Sequence, residues 1–199
     1  MTKPILILAS ESQIRREILG NAGIKFKIKP SRVDETNLKK EALDQNKSPE
    51  DIAKLLALAK AENIKIGANT LCIGADQLLE MEGVIYDKPR SMQEARIRLQ
   101  KMRGREHKLV GALVVCEQGQ NPWIYQSTTT LFMRDFSDEF LDIYMQTEGE
   151  DVLKSVGGYM FERGGAQLFE WVDGDFFSIL GLSLLPLLAY LRTRGALMS

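Results

Sequence analysis

Cysteine and histidine are scarce: the 199 residues include two cysteines and one histidine. Cys72 and Cys116 are isolated within apolar runs. That placement excludes a disulfide framework and a CxxC metal pair, and it fits buried thiols in a reducing, cytoplasmic setting. With His107 as the sole imidazole, a histidine-rich zinc site is excluded, and a Ser-His-Asp triad is disfavoured. An excess of charge of one sign is also missing, with 26 Lys and Arg against 27 Asp and Glu. Duplex nucleic-acid binders carry a net basic surface, so nucleic acid is not an expected partner. Long apolar runs are absent as well. The longest, Ile179 to Leu191, holds 13 residues interrupted by Gly181, Ser183 and Pro186. About 20 residues are needed to span a bilayer. The N-terminal run from Pro4 to Ala9 is too short for a signal peptide. These absences predict a soluble cytoplasmic protein with no membrane partner.

The composition that remains is that of a globular domain: 44% hydrophobic and 27% charged residues. The length favours a single domain over residues 1–199, large enough to bury a core without disulfides. Ile5 to Ala9 is continuously apolar, as in a strand buried on both faces. Ser10 and Ser12 can cap a helix that runs to about Ala22 and stops near Gly23. Phe26 and Ile28 alternate with lysines, which predicts a half-buried strand. Ser48-Pro-Glu-Asp51 opens a second helix, and Leu71 to Asp76 forms a strand that ends in a carboxylate. Leu78–Met81 and Val84–Tyr86 flank a Glu82-Gly83 hairpin turn.

Ser91 opens a helix to about Met102, and Ser137 caps another through Met145. Between them, 108–116 and 123–133 form two longer strands. Gln167–Val172 and Phe176–Ile179 read as a further hairpin around Asp173-Gly174-Asp175, and Ser183 starts a last helix ending at Gly195. Helices and strands alternate early and strands cluster later. The expected class is α/β, a single domain with a mixed, twisted sheet flanked by helices.

Two junctions can carry chemistry. At Ser10-Glu-Ser12-Gln-Ile-Arg15-Arg16, a helix start and two arginines are suited to an anion, although an ordinary capped helix with solvated arginines fits the same residues. At Gly74-Ala-Asp76-Gln77, a carboxylate directly follows an apolar strand, where α/β sheets gather ligands; a simple turn aspartate is the alternative. Asp34-Glu35 and Asp87-Lys88 each follow a β-like segment and suit either a site or a solvated turn. Established phosphate and nucleophile signatures, GxxxxGK[ST], GxGxxG and GxSxG, are absent.

Taken in order, these blocks resemble the Maf family of nucleotide pyrophosphatases. The matching residues are Leu8-Ala-Ser10-x-Ser12-x-x-Arg15-Arg16-Glu17-Ile-Leu19, Val33-Asp-Glu35, Ala59-Lys60-Ala61, Gly74-Ala-Asp76 and Asp87-Lys88-Pro89. A late block runs from Gly158-Tyr-Met-Phe-Glu162 through Asp173-Gly-Asp175 to Gly181-Leu-Ser-Leu184. The resemblance spans roughly residues 5–194, and the joint order of the blocks is more specific than any one of them. It implies a Maf/ITPase-like fold and hydrolysis of a nucleoside triphosphate between its α and β phosphates. It assigns phosphate binding to Ser10, Arg15, Lys60 and Lys88. It makes Asp76 the base or metal-linked water activator, with Glu35 as second acid, and implies that both hold a divalent Mg²⁺ or Mn²⁺. Family members are commonly homodimers.

Three positions depart from the usual pattern. Gln13 and Ile14 stand where the family often has Pro and Arg, which makes Arg16 the alternative cationic donor. Gln77 follows the aspartate where the thymidine- and uridine-triphosphate branch has Thr, and Glu162 replaces its Gln. Gln77, Glu162 and an apolar Ile14 resemble the branch acting on 7-methyl-GTP. An acceptor-only carboxylate suits the adjacent N1–H and N2–H of guanine. The expected substrate is therefore 7-methyl-GTP or another modified nucleotide. The alternatives are dTTP or UTP, a general phosphatase releasing orthophosphate, and a non-catalytic nucleotide-binding regulator of cell division. Charge is also unevenly spread. Residues 13–32 carry six cations against one acid, and residues 135–151 carry seven acids and no Lys or Arg. The N-terminal cluster suits a triphosphate.

Overall fold

The structure, a computed structural model, describes residues 2–198. The apolar N-terminal run forms β1 (Ile5–Leu8), with Leu6, Ile7 and Leu8 at most 4% exposed. Ser12 caps α1 (Gln13–Asn21) by accepting a hydrogen bond from the Arg15 backbone N–H. Gly23, at φ +70°, ends that helix in the left-handed conformation that glycine adopts without strain. β2 (Lys27–Ile28) lies parallel to β1, and two further helices follow, α2 (Glu35–Asp44) and α3 (Pro49–Glu62). The chain continues through β3 (Thr70–Met81), β4 (Val84–Tyr86), α4 (Met92–Met102), β5 (Glu106–Glu117) and β6 (Trp123–Met133). It closes with α5 (Asp138–Glu148), two 3₁₀ turns, β7 (Phe169–Asp173), α6 (Phe176–Ile179) and α7 (Leu184–Thr193).

The seven strands form one sheet in the order β2-β1-β3-β5-β6-β7, with β4 paired to β3. β1 runs parallel to β2 and β3, whereas β3–β4 and β6–β7 are antiparallel. The expected mixed α/β sheet is present. Among the described residues no helix is long and apolar enough to cross a membrane.

The chain divides into two compact units. The first comprises residues up to 77, 111–127 and from 181 onward; the second comprises 78–110 and 128–180. In the first unit, α3 buries Ile52, Ala53, Leu56, Ala57 and Ala61 at helical spacing, as its amphipathic sequence predicts. In the second, Leu79, Leu99, Met102, Leu131, Phe136 and Leu141 are buried in one apolar cluster. Truncating any one of these leucines to alanine removes packing worth roughly 2–5 kcal/mol.

Four local expectations are corrected. β3 is a single twelve-residue strand through Asp76, so the carboxylate sits within the strand and not at its end. The reason is that β3 outruns β1, whose register stops at Leu8 opposite Ile73, and continues into antiparallel pairing with β4 at residues 79–81. Phe176–Ile179 is a helical turn, because the Asp175 carboxylate accepts the Phe177 and Ser178 N–H groups as a cap. The strand predicted at 26–28 is two exposed residues at the sheet edge, where only one neighbour pairs with it. Asp34-Glu35 is no turn: Asp34 accepts the Asn37 N–H and starts α2.

Candidate active site

The polar cluster of the first unit arises from how closely α3 lies on β3. A Cβ built on Gly74 would stand 2.2 Å from the Ala57 carbonyl oxygen and 2.9 Å from the Ala61 nitrogen. Only glycine lets the helix backbone rest directly on the strand there. Side chains two apart on a strand share a face, so Asp76 points to the side on which Gly74 receives α3. Lys60, in the last turn of that helix, meets it: Lys60 Nζ donates to Asp76 Oδ1 at 2.6 Å. The same ammonium lies 2.8 Å from Glu35 Oε2 at the start of α2. Lys60 and Asp76 are buried, whereas the Glu35 side chain is 48% exposed.

Arg15 is the second cation that acts on Asp76. Its Nε donates to the Gly181 carbonyl at 2.8 Å. Its Nη1 donates to the Ala75 carbonyl at 2.8 Å and to Ser10 Oγ at 3.3 Å. Ser10 Oγ also accepts the Ser12 N–H at 3.2 Å, so the loop leaving β1 is tied to the helix it feeds. Burial pushes the Asp76 carboxyl above the ordinary carboxylate range; Lys60 and Arg15 pull it back, and Glu35 adds to the upward push. Burial lowers the Arg15 guanidinium, against the opposing pull of Asp76 and Glu35. The result is a desolvated carboxylate within a cationic frame, the environment in which a carboxyl becomes a stronger base.

The structure brings together Ser10, Arg15, Glu35, Lys60 and Asp76, which are distant in sequence. Gln77, the next residue on β3, is half-buried, and its Oε1 is 3.4 Å from where a Cβ on Gly181 would stand. Arg16 is half-buried, with a buried Nε that has no hydrogen-bond partner. Ile14 is half-buried on α1. Lys88 and Glu162 belong to the second unit. Lys88 is exposed in the irregular segment just after β4, where the Arg98 guanidinium donates to the Asp87 carbonyl and, at 2.6 Å, to the Val156 carbonyl. Glu162 is half-buried in the 160–165 turn, which is held by a hydrogen bond from the Met160 N–H to Tyr144 Oη at 3.0 Å.

Sequence reasoning missed the carbonyls of Ala75 and Gly181 because every residue carries one. Only the unusual φ of +91° at Gly181 marks that position, and a glycine in a motif block was its sole signal. Among the described residues, no group of three or more His, Cys, Asp and Glu side chains is poised to hold a metal ion. Mg²⁺ is commonly held by one or two carboxylates together with substrate phosphates and water. The Asp76–Glu35 pair fits the carboxylate part of that donor set.

The chain is similar to known proteins along nearly its whole length. A family profile described as "Maf-like protein" covers residues 5–194. A nucleoside triphosphate pyrophosphatase of Maricaulis maris (strain MCS10) is 48% identical over 96% of this chain and 97% of its own length. A 7-methyl-GTP pyrophosphatase of Rhizobium meliloti (strain 1021) is 42% identical over 98% of each chain. Among solved structures, the Ham1 protein of Staphylococcus aureus matches 65% of this chain and 72% of its own, at 16% identity and a TM-score of 0.41. That likeness is too distant to bear on the site.

Proposed function

The chain belongs to the Maf-like protein family, and on that premise we propose that it is a nucleoside triphosphate pyrophosphatase, releasing a nucleoside monophosphate and pyrophosphate. The observation that carries the reading is the buried Asp76 carboxylate, set against Lys60 and Arg15 and raised by burial above the ordinary carboxylate range. The relatives named above, matched along nearly their whole length, support the same activity.

In this reading Asp76 accepts a proton from a water molecule. The water oxygen bonds to phosphorus at the anhydride between the α and β phosphates, and the bridging oxygen departs with the electron pair as pyrophosphate. Phosphoryl transfer of this kind depends on positioning and charge neutralisation more than on covalent help. Lys60, once drawn toward substrate, supplies a cation to the phosphates, and the Ser10 hydroxyl supplies a hydrogen bond. The family resemblance assigns Arg15 and Lys88 to the phosphates as well, with Arg16 as the alternative cationic donor. Asp76 and Glu35 would hold Mg²⁺ or Mn²⁺, which when bound neutralises phosphate charge.

For the substrate, the reading favours 7-methyl-GTP, on Gln77, Glu162 and Ile14. An acceptor-only carboxylate at 162 suits guanine donors, and N7-methylation adds a positive charge that favours it further. A pocket built on such hydrogen bonds rejects the wrong base by roughly 10⁴-fold. Homodimerisation and a cytoplasmic location complete the proposal. A hydrolysis panel with Mg²⁺ and Mn²⁺, scored for pyrophosphate and orthophosphate, tests it. Pyrophosphate from 7-methyl-GTP in preference to dTTP and UTP is the expected result. A preference for dTTP or UTP overturns the substrate assignment, orthophosphate alone overturns the bond cleaved, and no turnover favours the regulator.

A further inference from the structure

The family resemblance places Arg15 on the substrate phosphates, but the geometry points to a different task. We propose that Arg15 is a positioning residue for Asp76, acting through the backbone of β3 and the Gly181 turn. A phosphate-binding arginine offers a planar fork of donors to its ligand. Here two of the three guanidinium nitrogens are committed to the protein itself. The Nε is committed to the Gly181 carbonyl at 2.8 Å, and Nη1 to the Ala75 carbonyl at 2.8 Å and Ser10 Oγ at 3.3 Å. Three separate segments therefore converge on one guanidinium: the loop after β1, the middle of β3, and the turn before α7.

The acceptors explain why the charge sits there. The Ala75 carbonyl belongs to the peptide that joins Ala75 to Asp76, so a bond to it restrains the orientation of the catalytic carboxylate's own backbone. β1 pairs with β3 only as far as Ile73, apart from the Ala9 N–H on the Ile73 carbonyl. Beyond that point Arg15 supplies the donor that a longer β1 would have offered to the Ala75 carbonyl. The whole residue is 9% exposed. A buried charge is retained where its donors find acceptors, and here Nε and Nη1 find them in two carbonyls and the Ser10 hydroxyl.

Gly181 is the second part of the device. At φ +91° it holds a conformation that side-chain-bearing residues rarely adopt. A Cβ there would stand 3.4 Å from Gln77 Oε1 and 3.5 Å from Arg15 Nη2. The glycine both aims its carbonyl at Arg15 Nε and leaves room for the guanidinium edge and the Gln77 amide side by side.

This inference rests on the pyrophosphatase reading, and the experiment separates the two. Steady-state turnover of a nucleoside triphosphate is measured for wild type, Arg15→Lys, Arg15→Met and Gly181→Ala, with inorganic pyrophosphate as a competitive probe of the phosphate pocket. Lysine keeps the charge but cannot span two carbonyls. A positioning role predicts a kcat at least 10-fold lower in Arg15→Lys and Arg15→Met, with KM and the pyrophosphate inhibition constant within about twofold of wild type. Gly181→Ala shifts kcat in the same direction. In the Asp76→Asn background, Arg15→Lys then adds less than threefold, because the group it positions is already lost.

A tenfold rise in KM and in the pyrophosphate inhibition constant, with kcat kept, overturns the proposal and returns Arg15 to the phosphates. So does a full, multiplicative loss in the Asp76→Asn background. If Arg15→Met does not fold, Arg15→Lys and Gly181→Ala carry the same comparison. Absence of pyrophosphate release by the wild-type protein would instead defeat the pyrophosphatase reading itself.

Discussion

Lys60 Nζ stands 2.6 Å from Asp76 Oδ1 and 2.8 Å from Glu35 Oε2, so a single ammonium is shared by two carboxylates of different exposure. Asp76 is desolvated, and burial raises its carboxyl, whereas the Glu35 side chain is half in water. That asymmetry gives the first prediction, a test of the base role proposed for Asp76. Asp76→Asn keeps the shape of the side chain but cannot take up a proton. Turnover is expected to fall by roughly 10²–10⁴-fold, the usual contribution of a positioned base. Circular dichroism and melting should show the fold retained, and near-normal turnover would remove Asp76 from the base role.

Removing the lysine tests the pair from the other side. Lys60→Met leaves the Asp76 carboxylate buried beside Glu35 with its nearest cation gone. Loss of one partner of a buried ion pair costs about 3–5 kcal/mol. Asp76 should respond by holding its proton to still higher pH in the native state. A carboxyl whose native pKa is raised costs stability as pH climbs above its unfolded value near 4. The penalty in urea titrations should therefore be largest at neutral pH and shrink as pH approaches 4. A penalty independent of pH would contradict this account.

Gly74 is the position at which packing and site are joined. Gly74→Ala forces a Cβ to within 2.2 Å of the Ala57 carbonyl, a backbone atom that cannot swing aside. Overpacking of this kind costs about 1–3 kcal/mol or more and should displace α3, carrying Lys60 away from Asp76. Both a lower melting temperature and reduced turnover are expected. Gly67, where a Cβ meets nothing within 4 Å, is the matched control and should change neither.

The second unit contains an acid-sensitive group. His107 is buried, with Nε2 2.9 Å from Tyr159 Oη and with Nδ1 unpartnered, and burial lowers its pKa to about 4. The unfolded chain binds a proton at its ordinary value near 6.5. Between those values the unfolded state holds more protons than the native state, so stability rises with pH and is lost on acidification from 6.5 to 4. The full loss is about 3 kcal/mol. Denaturant titrations from pH 7 to pH 4 should show the slope, and His107→Asn should flatten it. An unchanged slope in that variant would locate the acid sensitivity elsewhere.

Much of the fold was legible in the residues because local chemistry decided it. Ser12, Ser48, Ser91 and Ser137 each cap a helix with the side chain, as their spacing predicts. The 123–133 strand has the predicted bounds. α2 escaped notice because its cap, Asp34, reads equally well as a turn residue, and only the bond it accepts from Asn37 separates the two. Phe176–Ile179 has the composition of a strand, and the capping carboxylate of Asp175 overrides it.

The order of the motif blocks alone placed the chain in its family and singled out Asp76, Lys60 and Glu35, because those residue types carry the chemistry wherever they fall. What only the tertiary structure decided is their geometry. The meeting of Lys60 with Asp76 depends on the close approach of α3 over Gly74, and the anchoring of Arg15 depends on two carbonyls. Close approaches at glycine and backbone acceptors carry no mark in a sequence: every residue has a carbonyl, and only the packed chain determines which one faces a buried guanidinium.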